Sequence, residues 1–286
     1  VVQHMFWRYT DPQSPLYEKN SPYSQVITNY YKKIDTMIGE TLKNTSSNTL
    51  MLVISDHGFS EFREAVHLNR WLLENGYLSL EEGTTEVKDF LEGVDWSKTK
   101  AYAIGFGGIY LNKIGRETRG TVTESESQDL KLKIKTELLK IKNSKNQPVI
   151  NSVYLQEDAF KGKYSDNAPD LFVGFARGFR ASWQTAVGGV PTTLLEDNKK
   201  KWSGDHLIDP ILVPGVIFIN KKITLTNPAI IDIAPTLLHI FNLDKTNKTD
   251  GANRFSQLSV VSCQLSVVAI LAIMFFPLVQ TRISGN

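Results

Sequence analysis

Thr49-Leu50-Met51-Leu52-Val53-Ile54 runs without a break into Ser55-Asp56-His57-Gly58-Phe59. The apolar run reads as a buried strand, central in a parallel sheet. The polar turn after it then lies at the strand's carboxyl end, where open α/β sheets bind their ligands. Neighbouring Asp and His on an irregular turn can face one cation, and Gly58 lets the backbone approach it. A carboxylate with an imidazole suits Zn²⁺ or Mn²⁺. Taken alone, Asp-His-Gly equally describes a turn with a satisfied histidine.

Outward from this strand, the pattern alternates. Val26, Ile27, Tyr30, Tyr31, Ile34, Met37, Ile38 and Leu42 recur at helical spacing. His67 to Asn75 reads as a helix stopped by Gly76. Ala101 to Leu111 is apolar and Gly-rich, which predicts short strands. Leu130, Leu132, Ile134, Leu138, Leu139 and Ile141 predict an amphipathic helix with a solvated basic face. Leu171-Phe172-Val173 and Val216-Ile217-Phe218-Ile219 are further strand candidates, and Asp232 is placed to cap a helix carrying Pro235 in its first turn. Strands alternating with helices predict an α/β sheet with helices on both faces.

Composition narrows the function. With 32 basic and 30 acidic residues the net charge is +2, so there is no electrostatic case for nucleic-acid duplex binding. A hydrophobic content of 41% and a charged content of 22% are ordinary globular usage. The single cysteine, Cys263, excludes an intrachain disulfide and a Cys-rich zinc module. A metal here must be held by histidines and carboxylates.

Five histidines are present: His4, His57, His67, His206 and His239. His206 lies in Trp202-Ser203-Gly204-Asp205-His206, a polar loop that leads toward the strand after Val213. His4 lies among aromatics in Gln3-His4-Met5-Phe6-Trp7, a setting that often means packing. His67 at a helix start and His239 among apolar residues read as structural. Arg180 and Trp183 are candidates to support the metal ligands from behind or to face substrate, since an arginine fork suits phosphate and an aromatic face a base or headgroup; packing is the equal alternative. Asn44-Thr45-Ser46 and Asn247-Lys248-Thr249 match the glycosylation pattern, which is frequent by chance.

Together these segments resemble the type I phosphodiesterase/nucleotide pyrophosphatase family of the alkaline phosphatase superfamily, from Val1 to about Leu243. Ser55-Asp56-His57-Gly58-Phe59 resembles its paired metal ligands, Gly204-Asp205-His206 its late histidine ligand, and Gln3-His4 its Asp-x-x-x-His element. His67 to Tyr77, Trp96 to Tyr102, Arg180 to Thr185 and Asp232 to Leu238 match as well. The resemblance implies an alkaline-phosphatase-like α/β fold and two divalent cations, Zn²⁺ with Mn²⁺ as the other candidate. Asp56 and His57 would bind one, and His4 and His206 the other. It implies hydrolysis of small phosphodiester or nucleotide substrates; sulfatase, phosphomonoesterase and phosphoglycerate mutase share the scaffold, and a non-catalytic tethered binding domain is the rival of another class. The family's nucleophilic Thr or Ser and two further Asp ligands have no counterpart in the chain. They are expected before Val1, which makes 1–245 an N-terminally truncated catalytic body, inactive as it stands, with Ser55 and Ser203 the only local hydroxyls near the ligands.

The tail changes character. No charge falls between Arg254 and Arg282, and the apolar stretch from Leu258 is long enough to span a bilayer. The reading is a 246–257 linker followed by a hydrophobic helix over 258–280, either a buried helix or a membrane anchor. Lys245, Lys248 and Arg254 before it, against Arg282 after it, would place the body in the cytoplasm.

Overall fold

The computed structural model describes residues 1–221, 227–243 and 249–253, together with the backbone of 268–272. In chain order the elements begin with Val2–Phe6 (α1), Val26–Lys43 (α2), Leu50–Ile54 (β1), Ser60–Val66 (β2) and Leu68–Glu74 (α3). Ala101–Ile104 (β3), Gly108–Leu111 (β4), Glu124–Leu138 (α4), Ile150–Leu155 (β5), Gln156–Ala159 (α5) and Leu171–Phe175 (β6) follow. The rest are Gly178–Ala181 (β7), Trp183–Ala186 (α6), Leu195–Asp197 (β8), Gly204–Asp205 (β9), Ile217–Ile219 (β10), Ile233–Ile240 (α7) and Val268–Ala272 (β11). The fold is mixed α/β, and the chain divides into two compact units: Val1–Ile27 with Ser60–Val213, and Thr28–Phe59 with Pro214–Asn286.

In the first unit, one sheet has the order β3-β4-β6-β5, with every pairing antiparallel. A second is built around β2, which pairs with β7 in parallel and with β8 and β9 antiparallel. Val66, Leu72, Ala103, Ile109, Leu111, Ile134, Leu138, Leu171 and Phe175 form a continuous core with essentially no exposure. Each buried Leu, Ile or Phe contributes about 1.5–3 kcal/mol. Helix α4 enters this core through Ile134 and Leu138, whereas Leu132 and Leu139, expected on the same face, are exposed. Its start is set by a capping box between Thr123 and Glu126. One of its lysines departs from the solvated face expected: Lys131 is buried and pairs with Glu157 at 2.8 Å. Helix α3 ends as predicted, with Gly76 at φ +73°, a conformation that a side chain resists.

In the second unit, β1 is the middle strand of β10-β1-β11. Its alternation separates two faces. Leu50 and Leu52 pack with Ile240 and Leu237 of α7, while Met51 and Val53 pack against Ile34 and Ile38 of α2. This strand therefore has a helix on each face. The sheet is not wholly parallel: β10 runs antiparallel to β1 and β11 parallel to it. Asp232 stands at the α7 N-cap position, but its carboxylate accepts from Ala229 N and Ala252 N rather than from the helix.

The expected C-terminal helix is corrected where the structure describes it. Val268–Ala272 is a strand, paired residue for residue with Leu50–Ile54. A short apolar run does not by itself distinguish strand from helix, and β-branched Val268 and Ile270 favour the extended form once β1 supplies hydrogen-bonding partners. Among the described residues no helix is long and apolar enough to cross a membrane. The rest of 258–280, and 246–248 and 254–257 of the linker, lie outside the described residues.

Candidate functional site

The first unit joins the two ends of its own sequence at one cluster. His4 sits on α1, a single turn whose backbone is tied to the 202–206 loop. Ser203 N donates to the His4 carbonyl at 2.7 Å, and Arg8 N donates to Ser203 Oγ at 3.0 Å. The His4 ring is buried, stacked on Trp202 with centroids 3.7 Å apart, and its centroid lies 5.6 Å from that of His206. His4 Nδ1 is 2.7 Å from Gly204 O. A carbonyl can only accept, so Nδ1 carries the proton and the ring's in-plane lone pair is on Nε2. Metal-binding histidines are commonly oriented in this way. Burial lowers the pKa of His4 below the usual histidine value, against the raising effects of Gly204 and Asp205, so the coordinating neutral form is favoured.

Asp205 completes the group. One ligand atom each from His4, Asp205 and His206 lie within 4.8 Å of one another, the one such cluster of three among the described residues. Its oxygens are already engaged. Oδ2 accepts from Arg180 Nη1 and from Trp202 Nε1, and Oδ1 from His206 N at 2.8 Å and Leu207 N at 3.4 Å. Four donors match the lone pairs of a carboxylate, so Asp205 braces the loop and the two imidazoles are the cluster's candidate metal ligands. Burial acts to raise the Asp205 pKa, yet Arg180, Trp202 and the His206 amide together hold it below the usual range. The sequence reading missed Asp205 as a functional residue; its place directly before His206 was the available signal.

For Arg180 the sequence leaves three roles open: supporting a ligand from behind, facing substrate, or packing. Arg180 has no exposed surface, and its Nε donates to Ala181 O. The guanidinium carbon lies 4.2 Å from the ring centroid of Trp183, 4.7 Å from Phe62 and 5.0 Å from Phe106. Trp183 itself is 38% exposed at the start of α6 and meets Phe106 and Trp202 edge to face.

The second unit holds Asp56 and His57 at the carboxyl end of β1, where the sequence placed them. His57 Nδ1 is 2.7 Å from Gly58 O, which by the same argument puts the ring lone pair on Nε2. That nitrogen is 3.3 Å from Asp56 Oδ2, so an imidazole and a carboxylate oxygen converge. The turn is fastened to the start of β10: Ser55 N donates to Val216 O, and Val216 N to Ser55 Oγ. Gly215 permits this, since a Cβ there would stand 2.6 Å from Ser55 O. A cavity of about 380 Å³ opens beside the turn, lined by Ile54, Asp56, Pro214, Val216, Ile230 and neighbours.

Of the four expected ligands, then, His4 meets His206 in one unit and Asp56 meets His57 in the other. Both pairs fit a divalent cation by chemistry: His4 and His57 with Nε2 lone pairs set by their tautomers, the His206 imidazole, and one carboxylate oxygen.

His67 and His239 lie outside the three-residue cluster. His67 is fully buried, with Nδ1 2.8 Å from Ser182 Oγ and Nε2 3.4 Å from Glu196. Ser, His and Glu in a row have the composition of a hydrolase triad. Ser182 is 1% exposed, however, and its hydroxyl caps α6 by accepting from Thr185 N. Its burial and its engaged hydroxyl favour a structural reading of the trio.

The sequence model of one protein family, described as type I phosphodiesterase / nucleotide pyrophosphatase, matches residues 2–190, more than half of the chain. His4, Asp56, His57, Arg180 and Trp183 fall inside the match, and His206 beyond it. No curated protein and no solved structure matches the chain.

Proposed function

The chain belongs to the type I phosphodiesterase / nucleotide pyrophosphatase family, a hydrolytic one, and on that premise we propose that it takes part in hydrolysis of small phosphodiester or phosphoanhydride substrates of nucleotide type. His4 and His206 hold one divalent cation, and Asp56 and His57 another. The metal is Zn²⁺, with Mn²⁺ the alternative for the carboxylate-containing pair. Such cations neutralise charge on the transferring phosphoryl group and lower the pKa of a bound nucleophile. In the overall reaction water's oxygen ends on phosphorus, and one of its protons on the departing oxygen.

The chain's own residues hold and orient. Gly204 O and Gly58 O fix the tautomers of His4 and His57. Asp205 sets the turn at His206. Trp183, partly exposed, offers a planar face to an aromatic substrate group. The observation that carries this reading is the meeting of His4 and His206, ring centroids 5.6 Å apart, from opposite ends of the first unit. The test is metal analysis with a p-nitrophenyl nucleotide ester assay of the full-length protein and its His206→Ala variant. Metal-dependent turnover that His206→Ala abolishes is expected; turnover insensitive to chelator and to this substitution would refute the reading.

A further inference from the structure

Arg180 is a charged group placed where no water reaches it, between Phe62, Phe106 and Trp183. Its Nη2 makes no hydrogen bond, and the ring faces supply its remaining contacts. Burying an arginine so thoroughly is costly unless an opposite charge pairs with it. That partner is Asp205, itself 1% exposed. Strand β2 sets both in place, pairing with Arg180 at Ala65 and with Asp205 at Ser60.

We propose that Arg180 is a positioning residue: it anchors the Asp205 carboxylate, and Asp205 in turn fixes the backbone turn that aims His206 and the Trp202 ring that backs His4. The route is short. Asp205 Oδ1 accepts from His206 N at 2.8 Å, Asp205 Oδ2 accepts from Trp202 Nε1 at 2.8 Å, and Trp202 stacks on His4. One carboxylate therefore governs both imidazoles, and Arg180 is its counter-charge. The metal part of this inference rests on the reading of His4 and His206 as ligands; the structural part does not.

The test uses the full chain with Arg180→Met, Asp205→Asn and the double variant. Two quantities are read: amide hydrogen exchange of His206 and Leu207 in the metal-free protein, and Zn²⁺ affinity by competition with a chromophoric chelator. Arg180→Met should speed exchange of both amides at least tenfold relative to amides in β6, and weaken Zn²⁺ binding about 10- to 100-fold. The double variant should be no worse than either single one, because both act along one path. Unchanged exchange in Arg180→Met, or effects that multiply in the double variant, would overturn the proposal. So would a raised KM for the p-nitrophenyl ester at unchanged Zn²⁺ affinity, which would make Arg180 a substrate contact. If Arg180→Met does not fold, the double variant, with no buried charge, decides by the same readouts, and wild-type values there overturn the proposal. A wild-type chain that binds no Zn²⁺ refutes the metal reading separately, and the exchange rates alone then judge the positioning role.

Discussion

His4 Nδ1 lies 2.7 Å from the carbonyl oxygen of Gly204, a residue 200 positions further along the chain. This bond fixes the tautomer of one imidazole and ties the helix that carries it to the loop that carries another. The effect is that the His4 imidazole, a candidate ligand, is oriented before any cation arrives. Removing either imidazole should therefore do more than delete a ligand. His4→Ala and His206→Ala are each expected to lower phosphodiester turnover by two orders of magnitude or more, where second-neighbour substitutions cost about 10- to 100-fold. Assays at saturating Zn²⁺ check this; a loss below tenfold in either variant contradicts it.

Gly215→Ala should disturb the Asp56–His57 turn without touching it chemically. The new Cβ would stand 2.6 Å from Ser55 O, a backbone atom, so the Ser55–Val216 pairing must shift. Overpacking of this kind costs about 1–3 kcal/mol. A lowered urea midpoint together with reduced metal-dependent rate is expected, and a variant with wild-type stability would show that the turn has room.

Stability should fall on mild acidification. Burial holds the pKa of His4 and His67 below the ordinary 6.5, outweighing nearby acidic groups. A group whose folded pKa lies below its unfolded value binds its proton more readily in the unfolded chain. Its contribution is then complete above about pH 6.5 and is lost as pH drops from there toward the folded value. Urea midpoints at pH 7.5 and 5.5 measure this. The midpoint should be lower at 5.5, and His67→Gln should flatten the difference; a midpoint that rises on acidification contradicts the sign.

Ser182→Ala separates the buried Ser–His–Glu trio from catalysis. Loss of the cap on α6 should cost about 1 kcal/mol of stability, while kcat stays at the wild-type value. A collapse of kcat with stability retained would make Ser182 a nucleophile and the trio a working triad.

The strand and turn at 49–59 were legible because a buried strand followed by Asp-His-Gly is a local pattern, and local patterns survive in sequence. The capped helix α4 and the stop at Gly76 were legible in part for the same reason. Strand β2 was not foreseen: Ser60-Glu61-Phe62-Arg63-Glu64-Ala65-Val66 carries four polar residues and looks like a loop. It is held as a strand by three partners, a tertiary effect that residue propensity does not contain. Because β2 was missed, so was the Arg180–Asp205 pair that it brings together. The strand at Val268–Ala272 was missed for a related reason, since an apolar run has no periodicity that distinguishes a strand from a helix.

The central claim is that His4 and His206 share one divalent cation. A crystal structure of the full chain grown with Zn²⁺, with anomalous data collected at the zinc edge, measures this directly. The expected result is an anomalous peak bonded to His4 Nε2 and to a ring nitrogen of His206, at about 2.0–2.1 Å from each. A zinc-containing crystal with no peak between those two nitrogens, or with one bonded through Asp205 in place of either histidine, would contradict it.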